Sequence, residues 1–180
     1  MTVFDAISIR RSIRSYSPRE IPEEILRKML LTLRYAPSAC NLQPWRFIVV
    51  RDPEIRRRVA EASNGQMFIA EAPVIIVGCA FPAEAYRRMG GYGNSAEIDV
   101  TIAVDHLTLA AIEEGLGTCW IGAFREERVK ELLGIPRGVK VVALTPLGYP
   151  SDSQKLASPD PKKESRKSLE EIVSYDSFGR

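Results

Sequence analysis

The sequence predicts a compact α/β domain, and the chain length, the apolar content and the alternation of element patterns are the observations that predict it. A chain of 180 residues has ordinary single-domain size, and its 45% hydrophobic content excludes general disorder. Short β-branched runs bounded by proline alternate with amphipathic helical patterns. We therefore expect one domain over residues 1–180, without an internal repeat.

The first half of the chain carries two predicted helices and two predicted strands. Residues 22–35 begin with proline and two glutamates and space their apolar residues along one face, which predicts an amphipathic helix. Residues 46–52 and 73–80 are β-branched, bounded by proline and predicted to be strands. Between them, residues 53–62 have the pattern of a second helix. Strand, helix, strand is the α/β order.

The longest element is predicted over residues 95–114. Asn94 followed three residues later by Glu97 resembles a capping box, and Gly115 supplies the stop. Apolar residues occupy most of its circumference, which predicts burial on several sides. We therefore expect a central helix that is shared with a partner subunit.

The second half adds three shorter elements and then changes in composition. The predicted elements are a strand at 118–124, a helix at 126–134 and a strand at 139–150. Residues 151–168 are rich in proline, serine and lysine and contain almost no large apolar side chain. We expect an extended C-terminal arm over residues 151–180, which includes a short helix at 168–173.

Charge and cysteine content exclude several function classes. With 25 basic and 23 acidic residues the formal net charge is +2, so no global field attracts nucleic acid or an anionic membrane. The three cysteines are widely spaced and odd in number, which gives neither a disulfide framework nor a metal-ligand pattern. No signal peptide is recognised, and no stretch reaches the roughly 20 apolar residues of a membrane span. We expect a cytoplasmic protein with no metal site, no nucleic-acid partner and no membrane association.

The segment IRRSIRSY places Arg10, Arg11 and Arg14 within five positions, with Ser12 among them. If the segment is helical, Arg10 and Arg14 share a face and repel slightly unless an anion lies between them. One interpretation is a solvated, basic helix end. The other is a phosphate site, because guanidinium groups bind phosphate oxygens bidentately and the serine hydroxyl adds a neutral donor.

Two further stretches also admit a structural and a functional interpretation. APSACNLQPWRF, at residues 36–47, is either a turn-rich connector or a rigid loop whose hydroxyl and amide groups suit the polar edge of a planar ring. GLGTCWIGAF, at residues 115–124, is either a helix end followed by a core strand or a close approach to a ligand. In the second case the small residues Gly122 and Ala123 let backbone N–H groups reach that ligand.

The order and spacing of these motifs resemble the nitroreductase family of flavoproteins. The resemblance covers nearly the whole chain and includes RRSIRSY, APSACNLQPWRF, GLGTCWIGAF, PLGYP at 146–150 and RKSLEEIV at 166–173. It implies an α+β, nitroreductase-like fold of three layers, with a mixed, mainly antiparallel sheet surrounded by helices and a long central helix at a dimer interface. It also implies a homodimer with FMN at the subunit interface.

The resemblance assigns cofactor-binding roles to five groups of residues. The N-terminal cluster of three arginines and a serine would bind the ribityl phosphate and the pyrimidine edge, with Arg14 beside flavin N1 and O2. The 36–43 loop of the partner subunit would pack against the ring. Backbone at 122–123 would lie near N5 and O4, residue 66 would hydrogen-bond the flavin, and the basic end of the arm would complete the phosphate site. The full set is Arg10, Arg11, Ser12, Arg14, Pro37, Ser38, Ala39, Asn41, Gln43, Gln66, Gly122, Ala123, Arg166 and Lys167.

The activity that the resemblance implies is that of an oxidoreductase in which the flavin performs the chemistry and no side chain is catalytic. NADH or NADPH would deliver hydride to flavin N5, and a nitroaromatic, quinone or similar electrophilic acceptor would then occupy the same face in a ping-pong cycle. Two alternatives stay open: a specialised reduced-flavin enzyme for dehalogenation or flavin consumption, and a non-catalytic flavin-binding module. Without a Gly-x-Gly-x-x-Gly fingerprint no separate dinucleotide domain is expected.

Two departures from the family pattern concern the acceptor more than the cofactor. Some larger bacterial members have glutamate and glycine at the position of Gly122 and Ala123, so this chain lacks a carboxylate near the ring. The segment at residues 81–95 is also short, where larger relatives carry helices over the acceptor pocket.

His106, in the apolar helix, is interpreted as a structural residue, and Cys40 is interpreted as a small filler.

Overall fold

A computed structural model describes residues 1–151 and 166–179. The helices in these residues are α1 (Val3–Ile9), α2 (Glu23–Arg34), α3 (Pro53–Ala62), α4 (Phe68–Glu71), α5 (Ala96–Glu113), α6 (Glu126–Leu133) and α7 (Leu169–Ile172). The strands are β1 (Trp45–Val50), β2 (Val74–Ala80), β3 (Gly117–Thr118) and β4 (Lys140–Gly148), and a 3-10 turn spans Ala39–Asn41. Residues 152–165 of the predicted C-terminal arm lie outside the described residues.

The strands form one sheet in the order β1-β2-β4-β3, and every ladder between them is antiparallel. Ser12 makes an isolated parallel bridge with Thr118, on the side of β3 that faces away from β4. The N-terminal segment therefore continues the sheet past β3. The prediction of a mixed, mainly antiparallel sheet is confirmed.

Helices cover both faces of the sheet, because alternate residues of a strand point to opposite faces. Ile76 of β2 packs in the hydrophobic cluster that contains residues of α2 and α5. Its neighbours Ile75 and Val77 pack in a second cluster that contains residues of α3 and α6. The three-layer arrangement predicted from the family resemblance is confirmed.

α5 lies close against the middle of the sheet. A Cβ at Gly78 of β2 would lie 2.9 Å from Cγ1 of Val100 and 3.3 Å from Cγ2 of Val104, so only glycine lets the helix approach this near. The opposite face of α5 keeps apolar residues accessible to solvent: Ile98 is exposed and Ile102 is half-buried. The helix is central, as predicted, and one of its apolar faces is incompletely covered within a single chain.

The start of α5 corrects one prediction. Its N-cap is Ser95, and the predicted capping box of Asn94 and Glu97 does not form. The Asn94 side chain instead accepts a hydrogen bond from the N–H of Ala96 (3.0 Å), and Glu97 pairs with Lys140 (2.6 Å). Each of the two side chains therefore bonds to a partner outside the predicted box.

The arginine-rich segment is not helical beyond its first residues, so the idea that Arg10 and Arg14 share a helix face is wrong. α1 was not predicted; it ends at Ile9, and Arg10 already has an extended backbone with φ −57° and ψ 132°. Tyr16, farther along, bridges Pro150. Backbone pairing with the sheet edge, which residue periodicity does not reveal, determines this conformation.

The predicted strand at 118–124 is also wrong for most of its length. β3 contains only Gly117 and Thr118, and Ile121 adds one isolated bridge to Leu144. The other predicted elements occur with shifts of one or two residues at their ends, and α3 has the predicted bounds. The irregular backbone after β3 matters for the site described below.

Membrane-spanning helices and metal-binding clusters are both absent from residues 1–151 and 166–179. No helix in these ranges combines the length and the apolar character needed to cross a membrane. The same ranges contain no group of three or more His, Cys, Asp or Glu residues placed to hold a metal ion.

Candidate functional site

The arginine cluster, Arg10 to Arg14, is fixed to the edge of the sheet beside β3. The N–H of Ile13 donates a hydrogen bond to the carbonyl of Thr118 (2.9 Å). A Cβ at Gly117 would lie 2.6 Å from Cγ1 of Ile13, so glycine lets the two backbones approach. Buried Ile13 therefore anchors the segment, with an arginine on either side of it along the chain.

Tyr16 fixes the far end of this segment. Burial raises the pKa of its hydroxyl, which stays protonated and donates to the carbonyl of Ile13 (2.8 Å). The N–H of Tyr16 donates to the carboxylate of Glu71 (3.0 Å). Its ring packs over Gly148, where a Cβ would lie 3.2 Å from the ring. The conformation of the arginine cluster is thus determined by the core and not by solvent.

The cluster brings positive charge to this edge of the sheet. Arg10, Arg11 and Ser12 are half-buried, and Arg14 is exposed. Within the described parts of the chain, neither Arg10 nor Arg14 forms a salt bridge. Two guanidinium groups next to an ordered backbone can therefore bind an anion such as a phosphate monoester.

Thr118 adds a polar group at this edge that sequence analysis missed. Its side-chain oxygen is buried and has no hydrogen-bond partner among the described residues. An unpaired buried hydroxyl costs free energy, so its position next to the Ser12 bridge is notable. Threonine in an apolar strand is ordinary in sequence, and no pattern would have identified it.

Gln66 and Ala123, which are distant in sequence, meet in the structure. Nε2 of Gln66 donates to the carbonyl of Ser63 (2.9 Å) and to the carbonyl of Ala123 (3.2 Å). Asn64 and Gly65, with φ of 57° and 73°, turn the chain after α3 and bring the Gln66 amide to this position. Two residues that the family resemblance assigned to the flavin are thereby joined.

The backbone at Gly122 is open. A Cβ at this position would meet nothing within 4 Å in the described structure, and its φ lies outside the left-handed region. Neither packing nor backbone conformation therefore requires glycine here. An exposed, irregular backbone with room above it suits a planar ring that lies against it and accepts a neighbouring backbone N–H at its edge.

The 36–43 loop is ordered by an unusual backbone. Cys40, Asn41 and Gln43 have φ of 52°, 54° and 50°, a left-handed conformation that is rare for residues with a side chain. The hydroxyl of Ser38 accepts the N–H of Gln43 (2.9 Å), which closes the loop on itself. Strain of this kind persists only when surrounding contacts impose it, and it clusters at binding sites.

Asp99, in the first turn of α5, supplies such a contact. Its buried carboxylate accepts the N–H of Ala39 (3.2 Å) through Oδ1 and the hydroxyl of Ser95 (2.7 Å) through Oδ2. Sequence analysis missed this residue. The available signal was an acid within an apolar helix, since a charged side chain is rarely buried without partners.

The structure places two groups of predicted site residues at opposite corners of the sheet. Trp45, which follows the 36–43 loop, pairs with Ala80 on β2, whereas Ile13 lies beside Thr118, which pairs with Leu147 opposite Val74. Val74 and Ala80 are the two ends of β2 and lie about 20 Å apart at the usual rise of a strand. β1 and β3 also stand at opposite ends of the strand order. The first group, beside β3, contains Arg10, Arg11, Ser12 and Arg14; the second, before β1, contains Pro37, Ser38, Ala39, Asn41 and Gln43. Gln66, Gly122 and Ala123 lie where the turn after α3 meets the backbone that follows β3.

Arg166 and Lys167 are exposed, like all described residues of the 166–179 segment. Residues 152–165, which connect them to the sheet, lie outside the described residues. Their predicted part in a phosphate site therefore stays a prediction. α7, which follows them, has a capping box of Ser168 and Glu171 and leaves the apolar side chains of Leu169 and Ile172 in solvent.

A further accessible apolar surface lies between α1, α2 and α5. Val3 and Phe4 of α1 are 72% and 77% exposed, respectively, which is unusual for side chains of this kind. They adjoin a groove of about 420 Å³ whose lining includes Val3, Tyr35 and His106. His106 is exposed here and does not fill the core. We call this the α1–α5 groove.

Comparisons with known proteins bear on the family and the fold of the chain. The model of the Nitroreductase family matches residues 7–74 and 63–149. A protein of Archaeoglobus fulgidus, provisionally named NADH dehydrogenase/NAD(P)H nitroreductase, is 40% identical over 159 residues, covering 86% of this chain and 88% of that protein. An "FMN reductase [NAD(P)H]" of Bacillus subtilis is 31% identical over 166 residues, covering 83% of this chain and 66% of that protein.

Solved structures and one further relative extend the comparison. The crystal structure of a nitroreductase family protein from Clostridium difficile 630 has a TM-score of 0.89 and 30% identity, covering 99% of this chain and all of that one. An iodotyrosine deiodinase of Thermotoga neapolitana is 28% identical over 201 residues, covering 98% of each chain. The fold, the family model and the identity to relatives agree, and the chain belongs to the nitroreductase family.

Proposed function

We propose that this protein is an FMN-dependent NAD(P)H oxidoreductase that reduces a small electrophilic acceptor, and that it works as a homodimer with FMN between the subunits. The observation that carries the proposal is the division of the site into two groups at opposite corners of the sheet. The 36–43 loop cannot reach the arginine cluster of its own chain across the sheet. A two-fold partner would bring its own loop to that cluster and complete the site.

The residues present fit FMN. A single terminal phosphate suits Arg10 and Arg11 together with the Ser12 hydroxyl, because guanidinium groups bind phosphate oxygens bidentately. The open backbone at Gly122 suits one face of a planar ring. Gln66, whose amide is oriented by two carbonyl acceptors, would lie at the edge of that ring.

The accessible apolar surfaces support the dimer. Val3 and Phe4 of α1, Ile98 of α5 and Leu169 of α7 are all exposed in the single chain. Burying these side chains would contribute roughly 25 cal/mol for each Å² of apolar area. Obligate interfaces of this kind bury more than about 2,000 Å² in total, and the α1–α5 groove and the C-terminal segment offer the surface for one.

FMN, when bound, would supply the hydride chemistry between the nicotinamide donor and the acceptor. The chain's own residues would orient the ring, keep water from its covered face and set the charge around it. Arg14 would place a cation near the pyrimidine edge, where negative charge develops on reduction. No acid or base from a side chain is needed, and NAD(P)H and acceptor would use the open face in turn.

The test is the cofactor content and redox behaviour of the purified protein. It should be yellow, release FMN and not FAD on denaturation, and lose its flavin absorbance when NADH or NADPH is added without oxygen. A nitroaromatic or a quinone should then restore the colour. A colourless protein that takes up no added FMN would overturn the proposal.

The deiodinase relative favours a second candidate, reductive dehalogenation by the same flavin site. The two are separated by supplying the reduced protein with an iodophenol and measuring iodide release beside nitroaromatic reduction. Iodide release that exceeds nitro reduction would favour the second candidate. Binding of FMN with no oxidation of NADH or NADPH by any acceptor would instead indicate a non-catalytic flavin module.

A further inference from the structure

A polar groove lies between α3 and α6, on the face of the sheet opposite α5. Its volume is about 150 Å³, and its lining includes three arginines, Arg58, Arg125 and Arg128. We call it the arginine groove. It is separate from the arginine cluster of the N-terminal segment, and nothing in the FMN proposal uses it.

Two of these arginines lack an acidic partner. The lining also contains Glu61 and Glu131, but Glu61 pairs with Arg57, which is not part of the lining, and Glu131 pairs with Arg128 (2.8 Å). Over the described residues, Arg58 and Arg125 form no salt bridge. Two exposed guanidinium groups in a concave surface are suited to an external anion.

The arginine groove is continuous with the residues proposed to contact the flavin ring. Arg125 follows Ala123 by two positions, and its N–H donates to the carbonyl of Ala62 (2.9 Å) in the groove lining. Gln66 contacts the carbonyls of Ser63 and Ala123. The end of α3 and the backbone at 123–125 therefore form both the edge of the proposed ring site and one wall of the groove.

We propose that the arginine groove binds phosphate groups of the nicotinamide dinucleotide, with Arg58 and Arg125 as the contacts that determine its affinity. This inference rests on the proposed function, because it requires the nicotinamide to lie on a flavin next to Ala123. The volume is adequate for phosphate groups and small for a whole nucleoside, so the remainder of the donor would stay on the protein surface. The arrangement explains how a chain without a dinucleotide-binding domain can hold this donor.

The first experiment compares three variants of the flavin-loaded protein. The double variant Arg58→Gln/Arg125→Gln should raise KM for NADH or NADPH about tenfold or more and leave kcat at saturating donor unchanged, because it removes charge-assisted hydrogen bonds that are made equally in the ground state and in the transition state. Arg51→Gln is the matched control, since Arg51 is an exposed arginine that pairs with Glu23, and neither residue is part of the groove lining. Arg58→Lys should retain part of the affinity.

The second donor in this experiment is 1-benzyl-1,4-dihydronicotinamide, which carries no phosphate. Its kcat/KM should be the same in the double variant and in the unaltered protein. An unchanged KM for both dinucleotides, or an equal loss with the phosphate-free donor, would overturn the inference.

A readout that does not need flavin separates this inference from the proposed function. In an Arg10→Ala/Arg14→Ala background, which removes the other proposed phosphate site, inorganic pyrophosphate should bind with similar Kd whether or not Arg51→Gln is present, as measured by calorimetry. Adding Arg58→Gln/Arg125→Gln to that background should weaken pyrophosphate binding at least tenfold. If the protein takes up no FMN, the proposed function fails and pyrophosphate binding still tests the groove. If FMN is bound and reduced, but replacing both arginines changes neither the pyrophosphate affinity nor KM for NADH or NADPH, only the groove assignment fails.

Discussion

Asp99 and Ala39 are joined by a hydrogen bond of 3.2 Å from the backbone N–H of Ala39 to the carboxylate of Asp99. The same carboxylate accepts the hydroxyl of Ser95, so a single buried side chain links the start of α5 to the strained 36–43 loop. The loop is therefore positioned by the central helix. Asp99, which has no proposed contact with the cofactor, would therefore position the loop residues that are proposed to contact it.

The first prediction concerns this link. Asp99→Ala should lower the free energy of unfolding by about 1–3 kcal/mol, because it leaves the N–H of Ala39 and the hydroxyl of Ser95 without their acceptor. FMN affinity should fall as well, because the loop loses its anchor. Denaturant unfolding and flavin titration measure the two effects. Glu97→Ala, which removes an exposed ion pair in the same turn, should change stability by less than about 1 kcal/mol and leave FMN affinity intact.

The second prediction tests the arginine cluster. Arg10→Ala and Arg14→Ala should each weaken FMN binding by roughly 1.5–3 kcal/mol, the usual contribution of hydrogen bonds to a charged group. Circular dichroism should barely change, since Ile13 and Tyr16 hold the segment in place. If either substitution unfolds most of the protein while the folded remainder still binds flavin, these arginines are structural.

The third prediction uses a pair of glycines. Gly122→Leu should abolish FMN binding, because its side chain would enter the open space proposed for the ring, and stability without cofactor should change little. Gly138→Leu is the control, since a Cβ there also meets nothing within 4 Å and it belongs to neither proposed group. Equal flavin content in the two variants would contradict the position proposed for the ring.

The fourth prediction concerns the two-chain site. A mixture of Arg10→Ala and Asn41→Trp chains, unfolded and refolded together, should form heterodimers in which one site is intact and the other carries both changes. Flavin binding should partly recover relative to either variant alone. Confirmed heterodimers without recovery would mean that both groups serve one site within a single chain.

The fifth prediction distinguishes the cysteines. Burial raises the pKa of the Cys79 thiol to about 11, so at neutral pH it remains protonated and unreactive. Iodoacetamide at pH 7.5 should modify exposed Cys40 and spare Cys79 and Cys119 in the folded protein, as mass spectrometry would show. Modification of Cys79 should increase only as the pH approaches 11. Rapid labelling of Cys79 at neutral pH would contradict its buried position.

The fold could be predicted from the sequence where local signals and tertiary structure agree. α3 has the predicted bounds because Pro53 and the capping carboxylate of Asp52 define its start locally. The conformation of residues 10–14 could not be predicted, since it results from pairing with Thr118, more than a hundred residues away. Periodicity describes neighbours along the chain and contains no information on such a pairing.

The residues of the candidate site could also be predicted only in part. Gly122 and Gln66 were named through the family resemblance, and the structure adds the reason that Gln66 is oriented, its hydrogen bonds to Ser63 and Ala123. Asp99 and Thr118 were missed because their importance depends on burial, which their sequence neighbourhoods do not indicate. The role of a polar side chain within an apolar segment is decided by the groups that surround it in the folded chain.

Gly78 couples the 36–43 loop to the arginine cluster through the position of α5. It sets the spacing between α5 and the sheet. α5 carries Asp99, which holds the loop, and it leads into Gly117, which receives Ile13. A change in that spacing would shift both halves together, so folding stability and cofactor affinity should rise or fall in parallel when the core is repacked. A substitution that lowers thermal stability by moving α5 would then also lower cofactor affinity.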